Sequence, residues 1–294
     1  MQRIYLGLLS LALLASTACS EAQNDDKGKG KKGGKKKDHT SVMNPVSGLK
    51  RLGAMPSEVT ESSGLARGPE AGTYYTHGDH GNTPTLFLVR ESGELVRRVE
   101  IPGITQEDWE SVSQDEQGRI YIADTGNNNN SRQDLTIYRV DPANPGQVRR
   151  IRFSYPDQKD FPPVKNDRNF DVEASLYHNG QLYLFTRNRA RGRECKVYTL
   201  QADGPEQQTA KLAGQLNLPG EVTGADLSPD GKRLALLGRE QLYLCDVPGG
   251  DLTKAQPRTV ELAGAGQTEG VVFTDNQNLI ISTEQGTLYR YTIQ

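Results

Sequence analysis

Three features of the sequence predict an all-β fold, and specifically a five-bladed β-propeller: short alternating segments, a repeated order among them, and no amphipathic helical period. Hydrophobic residues make up 34% of the 294, aromatics 6%, and there are 31 Gly and 15 Pro. That composition suits many short strands with one wet face better than a large helical core.

Residues 1–18 read as an export leader. Met1-Gln2-Arg3 starts positive, and Leu6 to Ala15 is apolar but too short for a permanent membrane helix. Small residues follow, ending in Ser16-Thr17-Ala18-Cys19, which resembles the lipobox of bacterial lipoproteins with Ser16 where Leu is usual. The resemblance implies cleavage before Cys19 and acylation of that residue. The chain is then expected in the bacterial cell envelope, lipid-anchored to a membrane, and Ser20 resembles a sorting signal for the outer one. An ordinary signal peptide with an incidental cysteine is the plainer alternative.

Residues 19–44 form a Lys/Gly tether in which Lys27, Lys29, Lys31, Lys32, Lys35, Lys36 and Lys37 alternate with glycines. Such a segment cannot offset ordering entropy by burial. It reads as a solvated spacer or as a cationic strip on anionic lipid or cell-wall polymer. Residues 1–39 hold eight of the 35 Lys/Arg and four of the 37 Asp/Glu, leaving 27 against 33, or about −6, in the remainder. No basic face is implied, and nucleic acid is not an expected partner.

Residues 45–294 carry the repeat. Second strands are expected at 72–76, 119–123, 181–186, 233–237 and 278–283, and third strands at 85–89, 135–140, 196–200, 241–245 and 287–291. The fifth unit ends at Gln294 before a fourth strand, while Leu49 to Ala54 precedes the first unit without a blade of its own. That segment is expected to supply the missing outer strand and close the ring. A sixth blade would need a unit between 141 and 171, whose prolines and charges read as a loop. Cys195 and Cys245 fall in apolar strands at different heights and are expected to be buried thiols.

The first strands open on Glu61-Ser62-Ser63-Gly64-Leu65, Asp108-Trp109-Glu110-Ser111-Val112, Asp171-Val172-Glu173-Ala174-Ser175, Val222-Thr223-Gly224-Ala225-Asp226 and Gln267-Thr268-Glu269-Gly270-Val271. One register position holds Ser63, Glu110, Glu173, Gly224 and Glu269, separated by 47, 63, 51 and 45 residues. Innermost strands line a propeller's channel, so these groups are expected to converge, with Asp226 as the fourth blade's deeper contribution. Crowded carboxylates are costly unless paired or metal-bound. Ca²⁺, a hard cation suited to an irregular oxygen cage, is the expected ligand, with a water-filled acidic channel as the competing reading.

Loops after the second strands return to the same rim and present His77, Asp124, Arg187, Arg239 and Glu284, with Asp79, His80, Asn82, Arg132, Arg189, Arg191 and the Asn127 to Asn130 run, read as a tight turn or solvated loop, around them. Arg187 and Arg239 suggest a site for carboxylate or phosphate. His77 with Asp79 and Asp124 could act as an acid–base set. The chain carries no Gly-x-Ser-x-Gly elbow, His-Glu-x-x-His, phosphate-binding glycine loop or Cys/His zinc spacing.

Read together, Ser63-Gly64-Leu65, Asp108-Trp109-Glu110, Asp171-Val172-Glu173, Thr223-Gly224-Ala225-Asp226-Leu227-Ser228-Pro229-Asp230-Gly231 and Thr268-Glu269-Gly270-Val271 resemble the inner-strand motifs of the SdiA-regulated family of exported propellers and of esterase-like phytase propellers. Thr76-His77-Gly78-Asp79 and Ala123-Asp124-Thr125-Gly126-Asn127 resemble that group's second-strand endings. The resemblance covers about residues 47–294. It implies a five-bladed ring and a channel metal, and brings no defined reaction. The expected function is a membrane-anchored binding module with an axial cation and a rim for an envelope ligand or protein. The alternatives are a metal-dependent hydrolase acting on phosphoesters or carboxylic esters and an assembly scaffold.

Overall fold

The computed structural model describes residues 46–294; the leader, Cys19 and the Lys/Gly stretch lie outside the described residues. Strand β1 (Leu49–Ala54) comes first among the described residues and last in the ring. Blade 1 is β2 (Ala66–Arg67), β3 (Thr73–Thr76), β4 (Thr85–Arg90) and β5 (Leu95–Glu100). Blade 2 is β6 (Trp109–Gln114), β7 (Ile120–Asp124), β8 (Thr136–Val140) and β9 (Val148–Ser154). Then come β10 (Val172–His178), β11 (Gln181–Thr186) and β12 (Glu194–Gln201) of blade 3. The next strand, β13 (Gln207–Thr209), crosses to blade 2 and pairs in parallel with β9 before β14 (Lys211–Asn217) completes blade 3.

Blade 4 is β15 (Gly224–Leu227), β16 (Arg233–Gly238), β17 (Gln241–Asp246) and β18 (Gln256–Glu261). Blade 5 is β19 (Thr268–Phe273), β20 (Asn278–Thr283) and β21 (Thr287–Thr292), with β1 antiparallel to β21 from Leu49↔Tyr291 to Ala54↔Thr287. The five sheets form a five-bladed β-propeller.

Within each blade, position along the radius decides composition. Inner strands such as β19 are buried at every residue, whereas the outer β18 is almost wholly exposed. An inner strand has sheet on both faces and reads as a continuous small or apolar run, while an outer strand needs Lys, Arg or Pro to keep its edge from pairing elsewhere. The hydrophobic core is divided among the gaps between blades. Leu176, Phe185, Leu234 and Leu236 pack blade 3 on blade 4, and Leu65, Tyr74, Val272 and Ile280 pack blade 1 on blade 5. That last cluster closes the ring by side chains as β1 closes it by backbone.

The stretch from 141 to 171 forms no extra blade, but it is not loop throughout, since β9 occupies 148–154. Cys195 and Cys245 are free and buried in one cluster between blades 3 and 4.

Candidate functional site

At the entrance to the channel the inner strands of blades 2, 3 and 5 share one irregularity. Pairing jumps from Trp109↔Asp124 to Ser111↔Ala123, from Val172↔Thr186 to Ala174↔Phe185, and from Thr268↔Thr283 to Gly270↔Ser282. The residue left over is Glu110, Glu173 or Glu269. A bulge frees one residue from the ladder and re-aims its side chain, and here it does so three times around one axis. Neighbouring blades are stitched at this level by Ser63 Oγ donating to the Glu110 carbonyl (3.2 Å), Thr125 Oγ1 to that of Val172 (2.8 Å) and Thr223 Oγ1 to that of Thr268 (2.8 Å).

Ser63, Glu110, Glu173 and Glu269 line a common cavity of about 90 Å³, together with Asp79, Glu284, Arg187 and Arg189. Asp226 is not there. It faces the channel from deeper in blade 4, where its carboxylate pairs with Arg67 at 2.9 Å and accepts the Phe273 amide at 2.7 Å. The expectation that it adds a ligand is corrected: a two-residue step along β15 moves a side chain by one full strand repeat, roughly 7 Å, toward the other face.

Two sets of carboxylates have oxygens mutually within 4.8 Å: Asp79, Asp108 and Glu110, and Glu110, Asp171 and Glu173. The second set is already compensated. Arg189 bridges Asp171 and Glu173, and Arg187 joins Glu173 (3.2 Å) to Glu221 (2.6 Å). The first set has no such partner. Among the described residues the Asp108 carboxylate meets only His80, at 3.6 Å, and Asp79 accepts the His80 amide at 2.6 Å. Glu110 is 6% exposed, and among the described residues no hydrogen bond or ion pair reaches its carboxylate.

The electrostatic consequence is uniform. Burial, then the charge of Glu173, holds Glu110 well above the usual carboxyl range. Burial and Asp79 push Asp108 up to about 6, and burial pushes Glu269 up to about 7 against a hydrogen bond from Gln267. Backbone makes room for this crowd at Gly126, where a Cβ would stand 2.3 Å from both Glu110 Oε1 and Asp108 Oδ2. Carboxylates converging on one point, Glu110 buried and Asp79 and Asp108 half-buried, have two remedies, protons or a cation. The donors are hard oxygens, so these acidic groups could hold a metal ion.

Other rim residues take different parts. His77 is fully buried and does not reach the rim. Its Nδ1 bonds to the Gly78 carbonyl at 2.8 Å, its ring stands edge-on to Trp109, and burial drives it down to about 4. Asp124 is buried too, accepting the Glu107 and Asp108 amides and pairing with Arg132 at 2.9 Å, so it shapes the loop that carries Asp108. These two therefore cannot form an acid–base set with Asp79. Arg239 is exposed and outside the cavity, and Arg189 takes its expected place beside Arg187.

Asp108 and Asp171 are the site residues that sequence reasoning did not assign, whereas Arg189 was expected among the polar residues of the rim loops. The two acids had a signal, an Asp-x-Glu at the start of two inner strands. Arg189 was legible as a rim residue but not as the partner of Asp171 and Glu173, since its direction depends on the path of the 187–193 loop.

No family model matches the chain, and no curated protein matches it. Solved structures similar to it include a nidogen/laminin complex, at 16% identity over 76% of this chain and 73% of that one, with a TM-score of 0.48. A gluconolactonase from Xanthomonas campestris is similar at 14% identity over 84% and 89%, TM-score 0.48. The PQQ-bound aldose sugar dehydrogenase from Streptomyces coelicolor is similar at 13% over 83% and 97%, TM-score 0.48. The propeller is read from this chain's own five sheets, and likenesses at this level say nothing about its site.

Proposed function

We propose that the protein is an exported, lipid-anchored propeller of the SdiA-regulated type that binds Ca²⁺ and offers the cation-bearing face to an envelope ligand or protein. The observation that carries the cation is Glu110: a residue 6% exposed, whose carboxylate is given no donor by the described residues and has an oxygen within 4.8 Å of Asp79 and Asp108. A charge so placed is costly unless neutralised. Calcium is preferred because the triad offers only carboxylate oxygens in an irregular arrangement, without the imidazole or thiolate that draws zinc or copper. Glu173 and Glu269 stand behind the triad, the first tied to arginines and the second to Gln267. The envelope address rests on the leader and on the lipobox-like Ser16-Thr17-Ala18-Cys19.

Titration calorimetry with Ca²⁺ on the detergent-solubilised protein tests this reading. Saturable binding that Glu110→Gln weakens at least tenfold is expected, because the neutral amide removes one charge from the triad. An absence of heat and of any thermal shift at millimolar calcium would remove the proposal. Metal-dependent turnover of phosphoesters or carboxylic esters, abolished by the same variant, would replace the binding module with a hydrolase.

A further inference from the structure

Resting on the cation reading above and deepening it, we infer that the triad opens onto the cleft between blades 1 and 2, and that this cleft receives a neutral, hydroxyl-rich ligand, a sugar or polyol, whose vicinal hydroxyls complete the cation's coordination.

The triad stands in a shared wall. Asp79 lines both the 90 Å³ axial cavity and a neighbouring cleft of about 400 Å³, Glu110 faces the first and Asp108 the second. The axial cavity has room for an ion and a few waters. The cleft is within the size range of small-molecule sites, about 300–1,000 Å³. A calcium ion takes about six to eight oxygens, more than one oxygen from each of three carboxylates supplies, so the remaining positions face the cleft or water.

The Asn127 to Asn130 run supplies the cleft's other wall, and its four amides divide into two pairs. Asn127 and Asn130 are buried and spent on structure: Asn127 Nδ2 donates to the Phe170 carbonyl at 3.0 Å, and Asn130 Oδ1 accepts the Phe170 amide at 2.8 Å. Asn128 and Asn129 are exposed and line the cleft, Asn128 reaching the axial cavity as well. Among the described residues, no hydrogen bond occupies either side chain. Each offers a donor and an acceptor, the pairing that a hydroxyl satisfies from both sides.

Charge selects against an anion. Asp79, Glu107 and Asp108 line the cleft, while its one guanidinium, Arg132, is committed to Asp124 at 2.9 Å and Asp134 at 3.1 Å. One divalent ion cannot reverse that balance, so a carboxylate or phosphate would enter against like charge. No Phe, Tyr or Trp lines the cleft, and its one ring, the His80 imidazole, is largely exposed and lies 3.6 Å from Asp108, which leaves no broad apolar surface for stacking a flat ligand. Neutral hydroxyls are the oxygen donors that remain.

The chain's single tryptophan, Trp109, immediately precedes Glu110 and gives the test its readout. Terbium replaces calcium in the full-length, detergent-solubilised protein, and emission is excited through the indole. Lifetimes compared in H₂O and D₂O count the waters on the ion. Sensitised emission that calcium competes away is expected. Methyl mannoside, galactose, mannitol and myo-inositol form the probe panel, at millimolar concentrations. At least one should lengthen the H₂O lifetime by the loss of about two coordinated waters, one for each hydroxyl of a vicinal pair. The variant Asn129→Ala, in the cleft but not in the axial cavity, should abolish that lengthening and leave the emission unchanged, which also shows that the site has folded.

Missing sensitised emission would sink the cation reading, and this inference with it. Emission whose lifetime no member of the panel alters would overturn the inference alone. So would displacement of water by inorganic phosphate but not by the panel, or a panel effect that survives Asn129→Ala.

Discussion

Gly126 shows how much of this site depends on one missing methyl group. Its backbone needs no positive φ, so conformational freedom does not explain it; the close approach of two carboxylates does. Gly126→Ala puts a Cβ 2.3 Å from Glu110 Oε1. It should cost about 1–3 kcal/mol in thermal melts, as overpacking does, and lower calcium affinity at least tenfold by calorimetry. Unchanged affinity would mean that the carboxylates shift freely. The same carboxyls set a pH response. In the folded, cation-free protein they keep protons that the unfolded chain has released, so stability falls as pH rises between the two values. His77 works in the opposite sense, but only below its ordinary value of 6.5. With Glu269 held at about 7 and Glu110 higher than usual, Tm in chelator should drop from pH 6.5 to about pH 8. Saturating calcium should erase that drop, and Glu269→Gln should reduce it. A flat cation-free profile would contradict the assignment.

At the scale of the element, bulges and ring closure matter most. The recurrence of Glu110, Glu173 and Glu269 at one register was legible because each strand opening carries the same local pattern. The bulges that aim them were not, since a bulge is defined against a partner strand and leaves no fixed residue signature. Asp226 illustrates the same limit. Its alternation correctly assigned it to the channel face, but only the packing of blade 1 brings Arg67 to it. The closing strand was legible from counting: a fifth unit short of an outer strand and an unassigned segment before the first. Deleting 49–54 removes the partner of β21 and exposes its edge from Thr287 to Tyr291. Such edges recruit other chains. The truncated protein should melt at lower temperature and elute as oligomers in size-exclusion chromatography. A monomer with unchanged Tm would show that β1 is dispensable.

On the scale of the whole molecule, the ring turns five weak local patterns into one site, because equivalent positions on separate sheets meet only when the circle closes. The leader poses a separate question that chemistry can answer directly. Labelled palmitate should mark the wild-type protein and not Cys19→Ser, and the variant should leave the membrane fraction. Equal labelling of both would rule out the anchor.

By itself the sequence determined the all-β class, the number of blades, the closing segment and the ring position of three glutamates. All of these follow from local period and spacing, which short-range sterics and strand alternation impose on any chain. Tertiary structure alone decided which carboxylates are compensated. It set Arg187 and Arg189 against Glu173, tied Asp226 to Arg67, buried His77 and Asp124, and brought Asp79, Asp108 and Glu110 together with no Lys or Arg of the described residues paired to them. Coulomb interactions depend on distance through space, and residues far apart in the chain acquire that distance only once the blades have packed.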